Sequence, residues 1–369
     1  MLFQVLACAV VSLNLAAASD AKAAIDWPIF RGNALQTGIA TSGLPDQLEV
    51  LWKKKTKDGI EGTAAIVDGT VYIGSLDEHL YALDLATGKE KWKYKAVAFK
   101  APASVRNGNV YIGDTDGVFH CVDAATGTKR WTFTTGAEIA GGANFSGDSI
   151  FFGSGDETLY CLSSEGKEIW RFKVPGGPVL GSPAVVNDRT FAAGCDSALH
   201  VLDLANGKEL GSVDLGGQIG ATAAIVGDRL YVGTMTNQFL AVDWKKLEIA
   251  WTFEAPKRQQ PFYASAAVTD TLVIAGSRDK RLHALDRKTG KEVWSFETRN
   301  KVDSSPVIVG RRVYAGSMDG KLYVIDLEKG IEVKKYELGS AIIASPAVGE
   351  NCLVIGTDDG TIYCLGAKK

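Results

Sequence analysis

Residues 62–94 read GTAAIVDGTVYIGSLDEHLYALDLATGKEKWKY. GTAAIV is small and apolar, TVYIG alternates large residues and ends in Gly74, SLDE is a turn, HLYALD alternates again, and ATGKEKWKY supplies a second turn and a fourth strand. That order gives four short antiparallel strands. Gly74 and Gly88 stand where a turn needs positive φ or a close backbone approach, and Asp77 and Thr87 suit turns because their side chains bond local backbone groups.

The unit recurs eight times, with its first glycine at Gly74, Gly113, Gly153, Gly194, Gly233, Gly276, Gly316 and Gly356, at spacings of 39, 40, 41, 39, 43, 40 and 40 residues. A period near 40 with short strands indicates a propeller or a solenoid, because one small sheet cannot bury both faces until its neighbours stack on it. A solenoid needs end caps, and neither terminus reads as one. First strands such as APASV, GSPAVV and ASPAV are built of small residues, which lets inner strands crowd around an axis. Trp92, Trp131, Trp170, Trp251 and Trp294 close their units at one position, whereas Gly211 and Lys334 replace tryptophan in two others. The eighth unit lacks a fourth strand, and LEVLWKK around Trp52 is a strand without a unit. Joining the two predicts an all-β, eight-bladed β-propeller over residues 48–369, closed by the Trp52 strand and without exposed blade edges at the seam.

Residues 1–23 carry an apolar run, LFQVLACAVVSLNLAAA, and an Ala-x-Ala site at Ala21–Ala23, the pattern of a signal peptide. Export to the periplasm or beyond is expected, with 24–47 as a lead segment. Val5-Leu6-Ala7-Cys8 mimics a lipoprotein box, but the few residues before Cys8 argue against lipidation. The run is interrupted by Gln4, Ser12 and Asn14, so no transmembrane segment is expected in the mature chain. A net charge of −3 offers no electrostatic claim on nucleic acid or anionic lipid. After removal of the signal, Cys121, Cys161, Cys195, Cys352 and Cys364 remain, without CxxC spacing. A bridge between Cys352 and Cys364 depends on strand register and stays open.

ALDLATGKEKW (82–92), CVDAATGTKRW (121–131) and ALDRKTGKEVW (284–294) resemble the docking motif of pyrroloquinoline quinone (PQQ) type propellers, and the resemblance covers nearly the whole mature chain. It implies that Trp52, Trp92, Trp131, Trp170, Trp251 and Trp294 each pack on the turn of the next blade. Ser163 and Gly366 for aspartate, and Gly211 and Lys334 for tryptophan, depart from the motif, and looser docking is expected there. DWPIFRGNALQTG (26–38) is similar to the lead-in of bacterial PQQ-like proteins; Trp27 and Arg31 read as ligand contacts or, as the favoured reading, as an aromatic plug and a tie to the propeller.

Two groups share this architecture. Quinoprotein dehydrogenases imply PQQ with calcium held by Glu, Asn and Asp, a catalytic Asp, adjacent cysteines and a Trp platform; this chain has no adjacent cysteines and no long insertions. The BamB-like group binds protein or peptide without chemistry, and chain length favours it. A monomeric binding scaffold without cofactor or catalytic residues is therefore expected, with a PQQ-dependent oxidoreductase as the alternative. The histidines His79, His120, His200 and His283 share one register on separate blades, so they cannot converge on a metal. The acidic turns at Asp114–Asp116 and Asp358–Asp359 lack the glutamate of a calcium loop. The expected partner surface is the face on which fourth strands lead to the next blade: Glu61, Phe99, Lys100, Glu138, Phe262, Tyr263, Lys301 and Asp303. Specificity is expected in the irregular EAPKRQQPFYAS loop (254–265), with Phe262 and Tyr263 exposed as a pair.

Overall fold

A computed structural model describes residues 26–256 and 259–368. The expected signal peptide, its cleavage site and Cys8 lie outside the described residues, as do Lys257 and Arg258 of the irregular loop. Eight sheets follow one another around the chain with no helix among the described residues: seven have four strands, and one gains a fifth where Ile39–Ala40 pairs in parallel with Val307–Val309. The first blade contains Ala65–Val67, Thr70–Gly74, His79–Asp84 and Glu90–Lys95, from the axis outward. Its second strand is buried at every position, because neighbouring blades cover both faces. Its fourth strand, EKWKYK, alternates exposed and half-buried residues at the rim.

Closure follows the expected route. In the last blade Glu49–Lys55 lies beside Thr361–Gly366, with Trp52 opposite Cys364, followed by Cys352–Gly356 and Ala347–Gly349. Cys352 faces Gly366 while Cys364 faces Val354, so the two cysteines are diagonal rather than paired, and both thiols are free. Trp52 Nε1 donates to the carbonyl of Leu85 in the first blade at 2.8 Å. The same bond recurs from Trp92 to Ala124 at 2.9 Å, Trp131 to Ser164 at 2.9 Å, Trp170 to Leu204 at 3.1 Å, Trp251 to Arg287 at 3.1 Å and Trp294 to Leu327 at 3.0 Å.

Each indole lies flat over a turn glycine. At Gly88 φ is 69°, and a Cβ there would sit 2.6 Å from the Trp52 ring, so both conformation and space demand glycine. The glycines that end second strands serve differently. Gly74 is not left-handed, but a Cβ on it would lie 2.5 Å from Phe99 Cβ.

Docking is not uniformly looser where the motif departs. Ser163 Oγ accepts the N–H groups of Glu165 and Lys167, so the turn survives without aspartate and Trp131 still docks on it. At Gly211 the partners have exchanged sizes: Leu247 occupies the place of the turn glycine at φ 59°, and a Cβ on Gly211 would lie 2.3 Å from Leu247 Cδ1. The leucine fills part of the space a tryptophan fills elsewhere. Gly211→Trp alone is expected to overpack and cost about 1–3 kcal/mol. Adding Leu247→Gly should recover that loss, seen as a positive coupling in denaturant melts. Additive effects would show that the two positions are not complementary. Lys334 has no such turn to dock on, since the last blade takes its fourth strand from the N-terminal side of the chain.

The lead segment runs inside the channel and touches every blade. Trp27 exchanges backbone bonds with Ile66, Pro28 O accepts from Val105, Ala34 O accepts from Val185 and the Asn144 side chain, and the carbonyls of Leu35, Thr37 and Gly38 accept from Ile225, Val268 and Ile308. Ser42 Oγ completes the circuit on Gly349 O. Each inner strand has one edge without a blade partner, and these bonds satisfy it. Trp27 and Arg31 are buried, and Arg31 holds the carbonyls of Ser305, Pro306 and Ala266.

Candidate functional site

The loops from fourth strands to the next inner strands form a funnel around the axis. Its cavity of about 160 Å³ is walled by all eight blades, with Phe30 of the lead segment among its lining residues. The inner strands begin here with small residues, so much of the wall is glycine, alanine and hydroxyl, with larger side chains such as Tyr263, Lys100 and Leu180 among them.

Of the residues expected to form a partner surface, Glu61, Lys100, Tyr263 and Asp303 line this funnel together. Lys100 is exposed and the other three half-buried. Glu138 and Lys301 sit in the same kind of loop but outside the lining. Phe99 and Phe262 correct the sequence reading, because both are fully buried and cannot serve as exposed anchors. Each turns inward onto the glycine that ends a second strand, Phe99 onto Gly74 and Phe262 onto Gly233. Ile139, Val179, Val302, Ile342 and Ile60 do the same on Gly113, Gly153, Gly276, Gly316 and Gly356. That apolar position recurs with the period of the glycines, and the recurrence marks it as core.

Two features of the funnel were not anticipated. Arg278 makes a forked contact with Asp303, Nε to Oδ1 at 2.9 Å and Nη2 to Oδ2 at 2.8 Å, and its guanidinium carbon stands 3.9 Å from the Tyr263 ring centroid. The contact with Asp303 raises the Arg278 pKa, so Tyr263 is braced on a fixed cation. The second feature is a ring of hydroxyls, Thr63, Ser182, Thr222, Ser265, Ser305 and Ser345, one from each of six blades. Its signal was a hydroxyl repeating about every 40 residues within the small-residue strands.

The histidines lie away from the funnel wall, on third strands. His120 meets Asp114 and Tyr94, His200 lies between Asp196 and Glu209, and His283 between Asp279 and Glu292. Tyr81, Tyr160 and Tyr323 make the corresponding bond to Asp77, Asp156 and Asp319 in other blades. These contacts tie a third strand to its own turn. Among the described residues no group of three histidine, cysteine or carboxylate side chains is placed to hold a metal ion.

Burial pulls the His283 pKa down, but its bonds to Asp279 and Glu292 more than offset this and hold it above 6.5; the same contact lowers Glu292 below 4.5. A raised histidine contributes stability below 6.5 that is lost as pH rises through its folded value. A lowered glutamate contributes above 4.5 and loses it as pH falls through its own folded value. The stability lost in His283→Gln should therefore be largest between pH 4.5 and 6.5 and shrink toward alkaline pH in denaturant melts. A loss that is constant with pH would mean that shape, not charge, is what His283 supplies.

A family model described as outer membrane protein assembly factor BamB matches residues 45–141, 115–209 and 195–367. The assembly factor BamB of Salmonella typhimurium is 30% identical over 277 residues, 69% of this chain and 67% of that protein; the match to BamB of Bordetella pertussis, 24% identical, spans 43% of this chain and only 40% of the relative. The crystal structure of BamB from Moraxella catarrhalis superposes with a TM-score of 0.73 at 20% identity, covering 87% of this chain and 98% of that one. Quinohemoprotein alcohol dehydrogenase from Comamonas testosteroni superposes with a TM-score of 0.82 at 14% identity, covering 94% and 81%, a likeness of fold alone. With a family match running through every blade, the chain belongs to the PQQ-like propeller family of the outer membrane protein assembly factor BamB.

Proposed function

We propose that the chain is an exported, non-catalytic scaffold of the cell envelope that holds a protein or peptide partner on its funnel face, in the manner of an outer-membrane assembly factor. The observation that supports this most is the family match, which runs from residue 45 to 367. The funnel rim supports it too. Tyr263 on its fixed cation, with Lys100 and Glu61 on facing walls, offers an aromatic anchor among charges of both signs. No helix among the described residues is long and apolar enough to cross a membrane.

The alternative is a PQQ-dependent oxidoreductase, favoured by the superposition on the quinohemoprotein enzyme. The residues present do not fit that group. The funnel lining contains no tryptophan, no asparagine and no cysteine, and of its two carboxylates Asp303 is already engaged by Arg278.

One experiment tests both readings. Envelope extract passed over the mature chain should yield a partner, and Tyr263→Ala should weaken its capture about tenfold or more, whereas Lys89→Ala and Lys291→Ala in the rim turns should not. Equal capture by Tyr263→Ala would move the partner surface away from the funnel. Alcohol oxidation by the same preparation with PQQ and calcium, above a cofactor-only control, would favour the enzyme instead.

A further inference from the structure

The six ring hydroxyls of the funnel donate to no protein acceptor among the described residues. Thr63, Ser182, Thr222, Ser265, Ser305 and Ser345 are each 3% to 6% exposed and line the cavity. Every one accepts a backbone N–H from the preceding blade of the ring: Ser182 from Gly142 at 2.8 Å, Thr222 from Ser182 at 2.8 Å, Ser265 from Thr222 at 3.0 Å, Ser305 from Ser265 at 2.9 Å, Ser345 from Ser305 at 2.9 Å and Thr63 from Ser345 at 3.2 Å. With its oxygen already accepting, each hydroxyl has its proton to place, and among the described residues none of the six donates a hydrogen bond. Pro102 and Gly142 hold this position in the other two blades, and Lys100 lines the funnel on that side.

An independent observation gives the sign of the charge such a site prefers. Arg31 is 1% exposed and its partners are the neutral carbonyls of Ala266, Ser305 and Pro306 at 2.9, 3.2 and 2.5 Å; its Nε has no partner, and no carboxylate among the described residues pairs with it. A buried cation without a counter-charge is costly, and an anion nearby offsets that cost. Ser305 joins the two features, since its carbonyl holds Arg31 and its hydroxyl belongs to the ring. At the mouth, Asp303 is paired with Arg278, and Glu61 and Lys100 line the same cavity with opposite charges.

We propose that the hydroxyl ring is a binding site for a small oxyanion, a carboxylate, phosphate or sulfate, which accepts hydrogen bonds donated by the hydroxyls and balances the charge of Arg31. A cavity of about 160 Å³ has the volume of about five water molecules, room for an ion of a few heavy atoms. The ring shares the funnel with the proposed partner surface, but ion binding is measured without a partner, so its test does not depend on that reading.

Calorimetric titration of the mature chain with sodium sulfate, phosphate and acetate, at ionic strength fixed with chloride, tests the proposal and separates inorganic from carboxylate ligands. Saturable 1:1 binding of at least one of them is expected, with Ser265→Ala weakening it about tenfold through loss of one bond to a charged group. Because that variant also strips an acceptor from Thr222 N–H, a second measurement does not depend on it: anomalous diffraction from crystals of the wild-type chain with selenate should show one peak within hydrogen-bonding distance of at least three ring hydroxyls. Heats indistinguishable from chloride for all three anions, or selenate bound only at Lys100 outside the ring, would overturn the proposal.

Discussion

A chain lacking residues 48–56 is expected to lose the cooperative thermal transition of the whole propeller, not of one blade. Those residues supply the outer strand of the last blade, paired from Glu49 opposite Gly366 to Lys55 opposite Thr361, and the Trp52 indole that locks this blade to the first. Without them Thr361–Gly366 becomes an open edge, and the Gly88 turn loses the ring that covers it. Trp52→Ala isolates the second effect. Truncating a buried tryptophan costs about 3–5 kcal/mol, which in a domain of this size is expected to lower the melting midpoint by about 4–7 °C. The deletion should cost more than the substitution, because it adds the lost strand pairing. Circular dichroism melts of the three proteins decide this. A deletion variant that melts as sharply and as high as the parent would mean that the ring does not depend on its seam.

The architecture was readable because the chain states it eight times. Glycine spacing set the number of blades, and the orphan Trp52 strand, matched with a C-terminal unit one strand short, located the seam. The exchange at Gly211 and Leu247 was not readable, because a leucine in a turn announces nothing until the facing blade shows the space it fills. The path of the lead segment left no trace for a similar reason: its bonds run mostly through backbone carbonyls, which carry no side-chain signature. In the funnel, charged residues were found because charge at a loop tip points to solvent. In the sequence the hydroxyls read only as small residues that let strands crowd, and their second property, a donor facing the funnel, depends on neighbours about 40 residues away.

The sharpest departure concerns two adjacent residues, Phe262 and Tyr263, and they are expected to behave in opposite ways. A loop with two prolines and polar neighbours reads as solvent-facing, yet of this adjacent pair Phe262 is buried in the sheet stack while Tyr263 lines the funnel. Phe262 N donates to Thr234 O at 3.0 Å, and its ring packs edge-on against Phe239 with centroids 5.6 Å apart and near Phe253 and His283 at 6.4 and 5.8 Å. It also fills the space above Gly233, where a Cβ would lie 2.3 Å from its own Cβ. Phe262→Ala opens a cavity in a stack that cannot collapse without shifting two blades, and is expected to cost about 3–5 kcal/mol. Tyr263→Ala removes a half-buried ring whose main contact is Arg278, and that cation keeps its salt bridge to Asp303, so its cost in stability is expected to be about 1 kcal/mol or less. Denaturant melts of the two variants, set beside partner capture at a temperature where both are folded, separate the roles: Phe262→Ala should lose stability and keep binding, and Tyr263→Ala should do the reverse. Equal melts for the two would mean that Phe262 does not carry the contact between blades that its burial implies, and the glycine at 233 would then need another explanation.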